Sequence, residues 1–219
     1  MNHKSCIDLV PIFDNLNLDE KKEVAYISNS KHYEKGETIY NQGDISKDLY
    51  IVHKGKVKIS RFTKDGKEQV LRTLEPGSFM GELSLFLENE HRDFATVLED
   101  TEICHLDGNR FKELLTEVPS ISLKLLKEMS HRLDDTEDTV ESIGVLSVEA
   151  RIIQKLLELS QDKDYFTLPY SKRDMASLLG MSSESLSRKL RELEAEKLIA
   201  LKGQRDITLL DRDALEDRL

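Results

Sequence analysis

Glu184, Ser187, Arg188 and Arg191 stand at i, i+3, i+4 and i+7, a spacing that puts all four on one face of an α-helix. Such a face can hydrogen-bond to base edges. Arginine bonds bidentately to guanine O6 and N7, glutamate accepts from cytosine N4, and serine serves base or phosphate. Lys172, Arg173, Lys189, Lys202 and Arg205 flank the four and suit phosphates, which fix position and salt dependence without carrying sequence information. A polar outer face is also what any amphipathic helix has, so spacing alone leaves a merely solvated face open. Elsewhere reactive chemistry is sparse. The two cysteines, Cys6 and Cys104, are too few for a four-thiolate cluster in one chain. The six histidines show neither His-x-His nor i,i+4 ligand spacing, and no acidic pair sits in a glycine-rich or nucleophile-elbow context. These residues imply no metal, no cofactor and no enzyme. A cupin-like β-roll metalloenzyme, the alternative from another class, needs a His and Glu cluster that the scattered histidines do not offer.

Composition bounds the fold. The chain has 219 residues, 38% of them hydrophobic and 34% charged, enough for two ordinary domains with buried cores. No apolar run approaches the roughly 20 residues of a membrane helix. The stretch from Ile7 to Phe13 is broken by Asp8 and Pro11 where a signal peptide is unbroken, so a cytoplasmic protein with no membrane partner is expected. The net charge of −10 is unevenly spread. Residues 147–219 hold 13 basic and 14 acidic side chains, the rest of the chain 19 and 28, and the segment 171–205 is locally basic with 8 against 5. An acidic body with a basic segment near its end suits nucleic-acid binding, although a chance surface patch gives the same small excess.

The elements that must position these residues follow from periodicity. Gly36, Gly43, Gly55, Gly66 and Gly77 each occupy a turn-like context, and the segments between them alternate, Leu49 and Ile51 against Tyr50 and Val52, then Val57 and Ile59 against Lys56, Lys58 and Ser60. An antiparallel β-roll over about 37–106 is expected, preceded by a short helix beginning near Asp19. From Ser120 the period lengthens. Leu126, Met129, Leu133, Thr136, Val140 and Ile143 form a heptad seam with a positions at 126, 133 and 140, the pattern of a helix that pairs with its twin. Arg132 then falls at g and Glu137 at e, where a parallel partner sets opposite charges side by side. The other reading is that the stripe packs on the chain's own sheet. Ser171-Lys172-Arg173-Asp174 has the form of a capping box, Gly180 of a turn, and Ser182 of a cap for a helix with inner residues Leu186, Leu190 and Leu193. Two short helices about a glycine, then strands over 198–201 and 207–210, make a winged helix-turn-helix. The fold class is therefore α+β: a roll in residues 1–118, a dimerisation helix in 119–145 and a DNA-binding domain in 146–219.

In this order the elements resemble the CRP/FNR family of bacterial transcription regulators. The likeness is carried by Gly81-Glu82-Leu83-Ser84-Leu85-Phe86 after Pro76-Gly77-Ser78-Phe79, and by Glu184-Ser185-Leu186-Ser187-Arg188, and it spans essentially the whole chain. It implies a cyclic-nucleotide-binding-like roll and a homodimer that binds double-stranded DNA and works with RNA polymerase. Glu-x-x-Ser-Arg marks the FNR-type reader, which implies TTGAT-like half-sites in an inverted repeat; CRP-type readers carry an arginine where this chain has Ser183. The resemblance also assigns Ser171, Arg173 and Ser182 to backbone contacts; Ser183 and Arg191 are secondary or backbone candidates beside the base-reading set.

For the signal, the resemblance offers two routes. The family holds cyclic nucleotides with a Gly-Glu-Leu segment, an arginine ten residues on, a hydroxyl beside it, and a Thr-Ser pair on the dimer helix. Glu82 and Arg92 keep the interval, but Asp93 stands in place of the hydroxyl and Thr136 is followed by Glu137; an aspartate there repels a cyclic phosphate. Glu82, Arg92 and Thr136 are the effector-pocket candidates, the structural alternative being that Glu82 caps a turn and Arg92 pairs with it. Ile103-Cys104-His105-Leu106 resembles the FNR segment that carries a cluster cysteine. With Cys6 as the only other thiol, the resemblance narrows to a minor FNR-like group switched by dithiol–disulfide exchange. It implies a Cys6–Cys104 bridge that pins the leading segment to the sheet. The alternative is that Cys104 is a small buried hydrophobe and Cys6 idle.

Overall fold

The computed structural model describes residues 10–13, 16–161 and 163–219. The fold is α+β, in two compact units, Met1–Leu133 and Asp134–Leu219.

Among the described residues, the first unit starts with a 3-10 turn over Pro11–Phe13 and helix α1, Leu18–Tyr26. Asn17 caps α1, accepting from the Asp19 and Glu20 amides while the Glu20 carboxylate accepts from the Asn17 amide, the reciprocal capping box. Six strands follow: β1 (Ser28–Tyr33), β2 (Thr38–Tyr40), β3 (Leu49–Phe62), β4 (Glu68–Leu74), β5 (Phe79–Met80) and β6 (Phe94–Leu106), with helix α2 (Glu82–Leu87) between the last two and α3 (Gly108–Glu117) after them. All pairings are antiparallel, in the order β1-β6-β3-β4, with β2 on β6 and β5 on β3.

The roll begins earlier than residue 37. β1 is polar along its length and mostly exposed; it is held by its register with β6, Ser30 opposite Cys104, so no apolar alternation announces it. The alternation over 49–52 is real, but both of its faces are covered. Leu49 and Ile51 enter one core with Cys104, Leu106, Phe111, Ile121 and Leu125, while Tyr50 and Val52 enter a second with Tyr33, Tyr40, Met80 and Ile103. Gly55 is not a turn between strands. It lies inside β3, at φ +93, where the register with β6 shifts on either side of Lys54 and Lys56. A Cβ there would sit 2.7 Å from the Asp100 carbonyl oxygen and against the Thr101 hydroxyl, so a glycine bulge bends one long strand where two were expected.

Helix α4, Pro119–Val145, is 27 residues long and starts with proline, which the first helical position tolerates. Ile121 and Leu125 are buried and Met129 packs against the same core. Of the expected seam, Leu126, Leu133, Val140 and Ile143 are exposed by 63%, 59%, 67% and 49%. Within one chain, then, only Met129 shows the stripe packing on its own roll.

The second unit contains α5 (Val148–Ser160), β7 (Tyr165–Thr167), α6 (Lys172–Leu178), α7 (Ser183–Ala195), β8 (Ile199–Lys202), β9 (Asp206–Leu209) and α8 (Arg212–Glu216). The wing is a three-stranded sheet in the order β7-β9-β8; β7, only three residues long, was not among the expected strands.

Candidate functional site

The turn between α6 and α7 is fixed from below. Gly180 takes φ +65, and buried Arg151 on α5 donates Nη1 to the Leu179 carbonyl at 2.6 Å, tying down a carbonyl the helix end leaves open. Ser182 caps α7, accepting from the Ser185 amide at 3.1 Å, and Leu186, Leu190 and Leu193 are buried. The opposite face therefore turns outward. Ser183, Glu184, Ser187, Arg188, Arg191 and Glu192 line a shallow groove along it. The Arg188 side chain is 70% exposed and its Nε lies 3.9 Å from Glu192. Hydrogen bonds from its own backbone amide and from the Ser182 hydroxyl hold the Glu184 carboxyl below the usual range, so at neutral pH it is an acceptor.

The flanking residues divide. Arg173, Lys202 and Arg205 are exposed and Lys172 partly so, with Lys202 closing β8 and Arg205 preceding β9 across the Gly203 turn, φ +63. Ser171 caps α6: its hydroxyl accepts from the Asp174 amide at 3.1 Å and donates to the Asp174 carboxylate at 2.6 Å. Lys189 does not join the outward set. Its ammonium lies 3.1 Å from Glu149 on α5 and 2.6 Å from Glu192, bonds that raise its pKa. Glu149 also receives Arg218 at 3.1 Å, and Arg218 reaches Glu196 at 2.6 Å. One position past Arg188 turns a side chain by about 100° around a helix, which is how Lys189 comes to face the domain.

In the roll, Glu82 and Arg92 line one small cavity with Tyr40, Arg72, His91 and Asp93. They do not pair. Glu82, at the start of α2 and 4% exposed in its side chain, receives Arg72 at 2.8 Å and Arg132 at 3.0 Å on the same oxygen, and Arg92 is exposed. This also overturns the expectation that Arg132 serves a partner's Glu137: it points into its own roll, its guanidinium 4.1 Å from the Phe79 ring centre. A heptad register assigns Arg132 a position along the seam and carries no information about the sheet beneath it. The Tyr40 and His91 rings stack at 3.8 Å. Burial raises the Asp93 pKa, against the Tyr40 hydroxyl, Arg72 and Arg61, and pushes Tyr40 far up. The space beside Glu82 is about 20 Å³, room for roughly one water molecule, but His91 and Arg92 also line an open cleft of about 800 Å³ with Gln42, Ile45, Lys47 and Glu90, within the range of small-molecule sites. Thr136 belongs to the second unit, on an exposed stretch of α4.

Cys104, 1% exposed, is disulfide-bonded; Cys6 lies outside the described residues. Cys104 shares its core with Val10, Ile12, Phe13 and Leu16 of the leading segment and with Ile121 and Leu125 of α4. Lys124 on α4 also donates to the Pro11 carbonyl at 3.2 Å. Among the described residues, no group of three or more His, Cys, Asp or Glu is placed to hold a metal, and no helix is long and apolar enough to cross a membrane.

Comparison with known proteins agrees with this architecture. Residues 30–118 match the model of the cyclic nucleotide-binding domain and residues 150–218 that of the Crp-like helix-turn-helix domain. The chain is 31% identical over 215 residues to a probable transcriptional regulator, flp, of Lacticaseibacillus casei, covering 97% of each protein. It is 32% identical over 180 residues to the cAMP-activated global transcriptional regulator CRP of Salmonella typhimurium, covering 78% of this chain and 85% of that one. Among solved structures, the c-di-GMP responsive global regulator CLP of Xanthomonas campestris superposes with a TM-score of 0.78 at 25% identity, covering 88% of this chain and 99% of that one.

Proposed function

This chain belongs to the CRP/FNR family of transcription regulators, and from that premise we propose that it acts as a homodimer that reads an inverted repeat of TTGAT-like half-sites in double-stranded DNA and engages RNA polymerase. The observation that carries the reading is the outward face of α7, where Glu184, Ser187 and Arg188 stand together while the leucines opposite are buried. Arg191 and Ser183 flank that set. Ser171, Lys172, Arg173, Ser182, Lys202 and Arg205 supply backbone contacts, whereas Lys189 reaches a phosphate only by leaving Glu149 and Glu192. Exposed Leu126, Leu133, Val140 and Ile143 support pairing through α4, which would set two α7 helices about one DNA turn apart, roughly 34 Å. Residues 1–118 act as sensor, 119–145 as dimerisation helix and 146–219 as DNA-binding domain.

The proposed signal is redox, through Cys6 and Cys104. Its support is the common core of Cys104, the leading segment and the first turns of α4: a bond that pins this segment biases the packing under the helix that pairs. The decisive experiment measures DNA affinity by fluorescence anisotropy, with thiols counted in reduced and oxidised protein. Oxidised protein should show no titratable thiol and a changed affinity, and Cys6→Ser should remove the redox dependence; two titratable thiols after oxidation would overturn the switch.

A cyclic nucleotide as effector is the second reading, favoured by the match of residues 30–118 to the cyclic nucleotide-binding domain. The small space beside Glu82 and the Asp93 carboxyl oppose it. Calorimetry with cyclic AMP separates the two, and measurable heat of binding would favour the effector.

A further inference from the structure

Charges of alternating sign run from the reading face of α7 into the domain behind it. Arg188 Nε lies 3.9 Å from Glu192, Glu192 Oε2 lies 2.6 Å from the Lys189 ammonium, and Lys189 lies 3.1 Å from Glu149 on α5. Arg218 continues the series, 3.1 Å from the other Glu149 oxygen and 2.6 Å from Glu196. Glu192 is the contested member. It lines the same groove as Glu184, Ser187 and Arg188, and it follows Arg188 at i,i+4, the spacing at which two side chains on a helix meet. Two cations therefore compete for one carboxylate. Lys189 holds it because Glu149 anchors the ammonium from the other side. A hydrogen bond from Lys189, with another from Arg218, lowers the Glu149 pKa, so Glu149 is an anion at neutral pH, and an ammonium has donors for two carboxylates at once. The contact from Glu192 to Lys189 has the length of a charge-assisted hydrogen bond; the one to Arg188 is too long for any. Arg188 keeps its donors available, on a side chain 70% exposed, only while Glu192 is drawn away.

We propose that Lys189 is a positioning residue for base readout: by holding Glu192 toward α5 it keeps the Arg188 guanidinium free for a base edge. In this role Lys189 touches no DNA. The effect on DNA rests on the reading of half-sites proposed above, whereas the partition of Glu192 between the two cations can be read in the free protein.

The test uses the full-length protein. Lys189→Met removes the ammonium and keeps the apolar stem, while Arg218 still offsets Glu149, so the fold survives. In the free variant Glu192 should close on Arg188, and the Arg188 Nε–H signal in NMR should exchange with water about threefold more slowly than in wild type. On a duplex carrying the inverted repeat, affinity should fall about threefold, and discrimination at the base pair that Arg188→Ala relaxes should fall by the same factor. Glu192→Gln in the Lys189→Met background should restore both, and Lys189→Arg should leave both near wild type. The proposal is overturned if Lys189→Met weakens every sequence alike, lowers the salt slope by about 1 and gains nothing from Glu192→Gln, since that is the behaviour of a phosphate contact. Unchanged Arg188 Nε–H exchange in Lys189→Met would overturn it as well. Slowed exchange in a protein whose wild type shows no base preference would uphold the partition and count against half-site reading. Base preference lost in Arg188→Ala but kept in Lys189→Met would count against Lys189 alone.

Discussion

At Glu82, two guanidiniums lie within 3.0 Å of one carboxylate oxygen that is all but sealed from solvent. On α7 the Arg188 guanidinium is 70% exposed and its nearest carboxylate partner, Glu192, stays 3.9 Å away. The arginine is thus committed in one region and only loosely held in the other, where Glu192 has Lys189 as its closer partner. Burial turns a charge pair into structure, because removing one partner strands the other in a poor solvent. Exposure leaves the pair worth little to stability and free to exchange its partner for a base edge. The difference separates the part of the chain that holds a conformation from the part that meets a ligand.

Four experiments press on that contrast, from the largest effect down. Glu82→Ala strands two arginines and should destabilise the roll by about 3–5 kcal/mol, read as a lowered urea midpoint; an unchanged midpoint would mean that the buried charges are not coupled. Arg188→Ala should leave the melting temperature alone, cost about 1–3 kcal/mol of operator affinity and relax preference at one base pair, as a gel-shift series on single-base variants would show. Equal losses on every variant would contradict base readout by Arg188. Lys202→Ala should weaken all sequences alike and reduce the slope of log affinity against log salt by about 1. The smallest effect is on pH. Burial holds His91 and His105 below the usual imidazole pKa, opposed mainly by Asp93 and Asp48 respectively. The unfolded chain therefore takes up protons first, so the stability these residues contribute is whole above about pH 6.5 and is lost as pH falls towards their folded values. Asp48 and Asp93, raised by burial, act with the opposite sign, from the ordinary carboxylate range upward. Melting temperature should fall between about pH 7.5 and 5.5, and His91→Gln should flatten the fall.

How legible each region was follows from the same contrast. The reading face shows in sequence because helical spacing alone sorts Glu184, Ser187, Arg188 and Arg191 from the leucines, and serine caps mark where α6 and α7 begin. The charge cluster at Glu82 does not show. Arg72 lies ten residues before Glu82, just as Arg92 lies ten after it, and Arg132 is 50 residues on in α4, so linear separation does not pick out the partners that the fold brings together. β1 escaped because an edge strand held by backbone bonds needs no apolar pattern. Gly55 misled because a bulge and a turn make the same demand for positive φ. Lys189 has the composition of a phosphate ligand; its partner Glu149 is 40 residues away.

The most direct test of the central claim titrates reduced and oxidised protein against a duplex carrying an inverted TTGAT repeat and against a scrambled duplex, with chains per duplex counted by sedimentation velocity. In at least one redox state, two chains should bind each repeat, roughly a thousandfold or more tighter than the scrambled sequence. One chain per duplex, or equal affinity for both sequences in both states, would contradict a paired reader of half-sites.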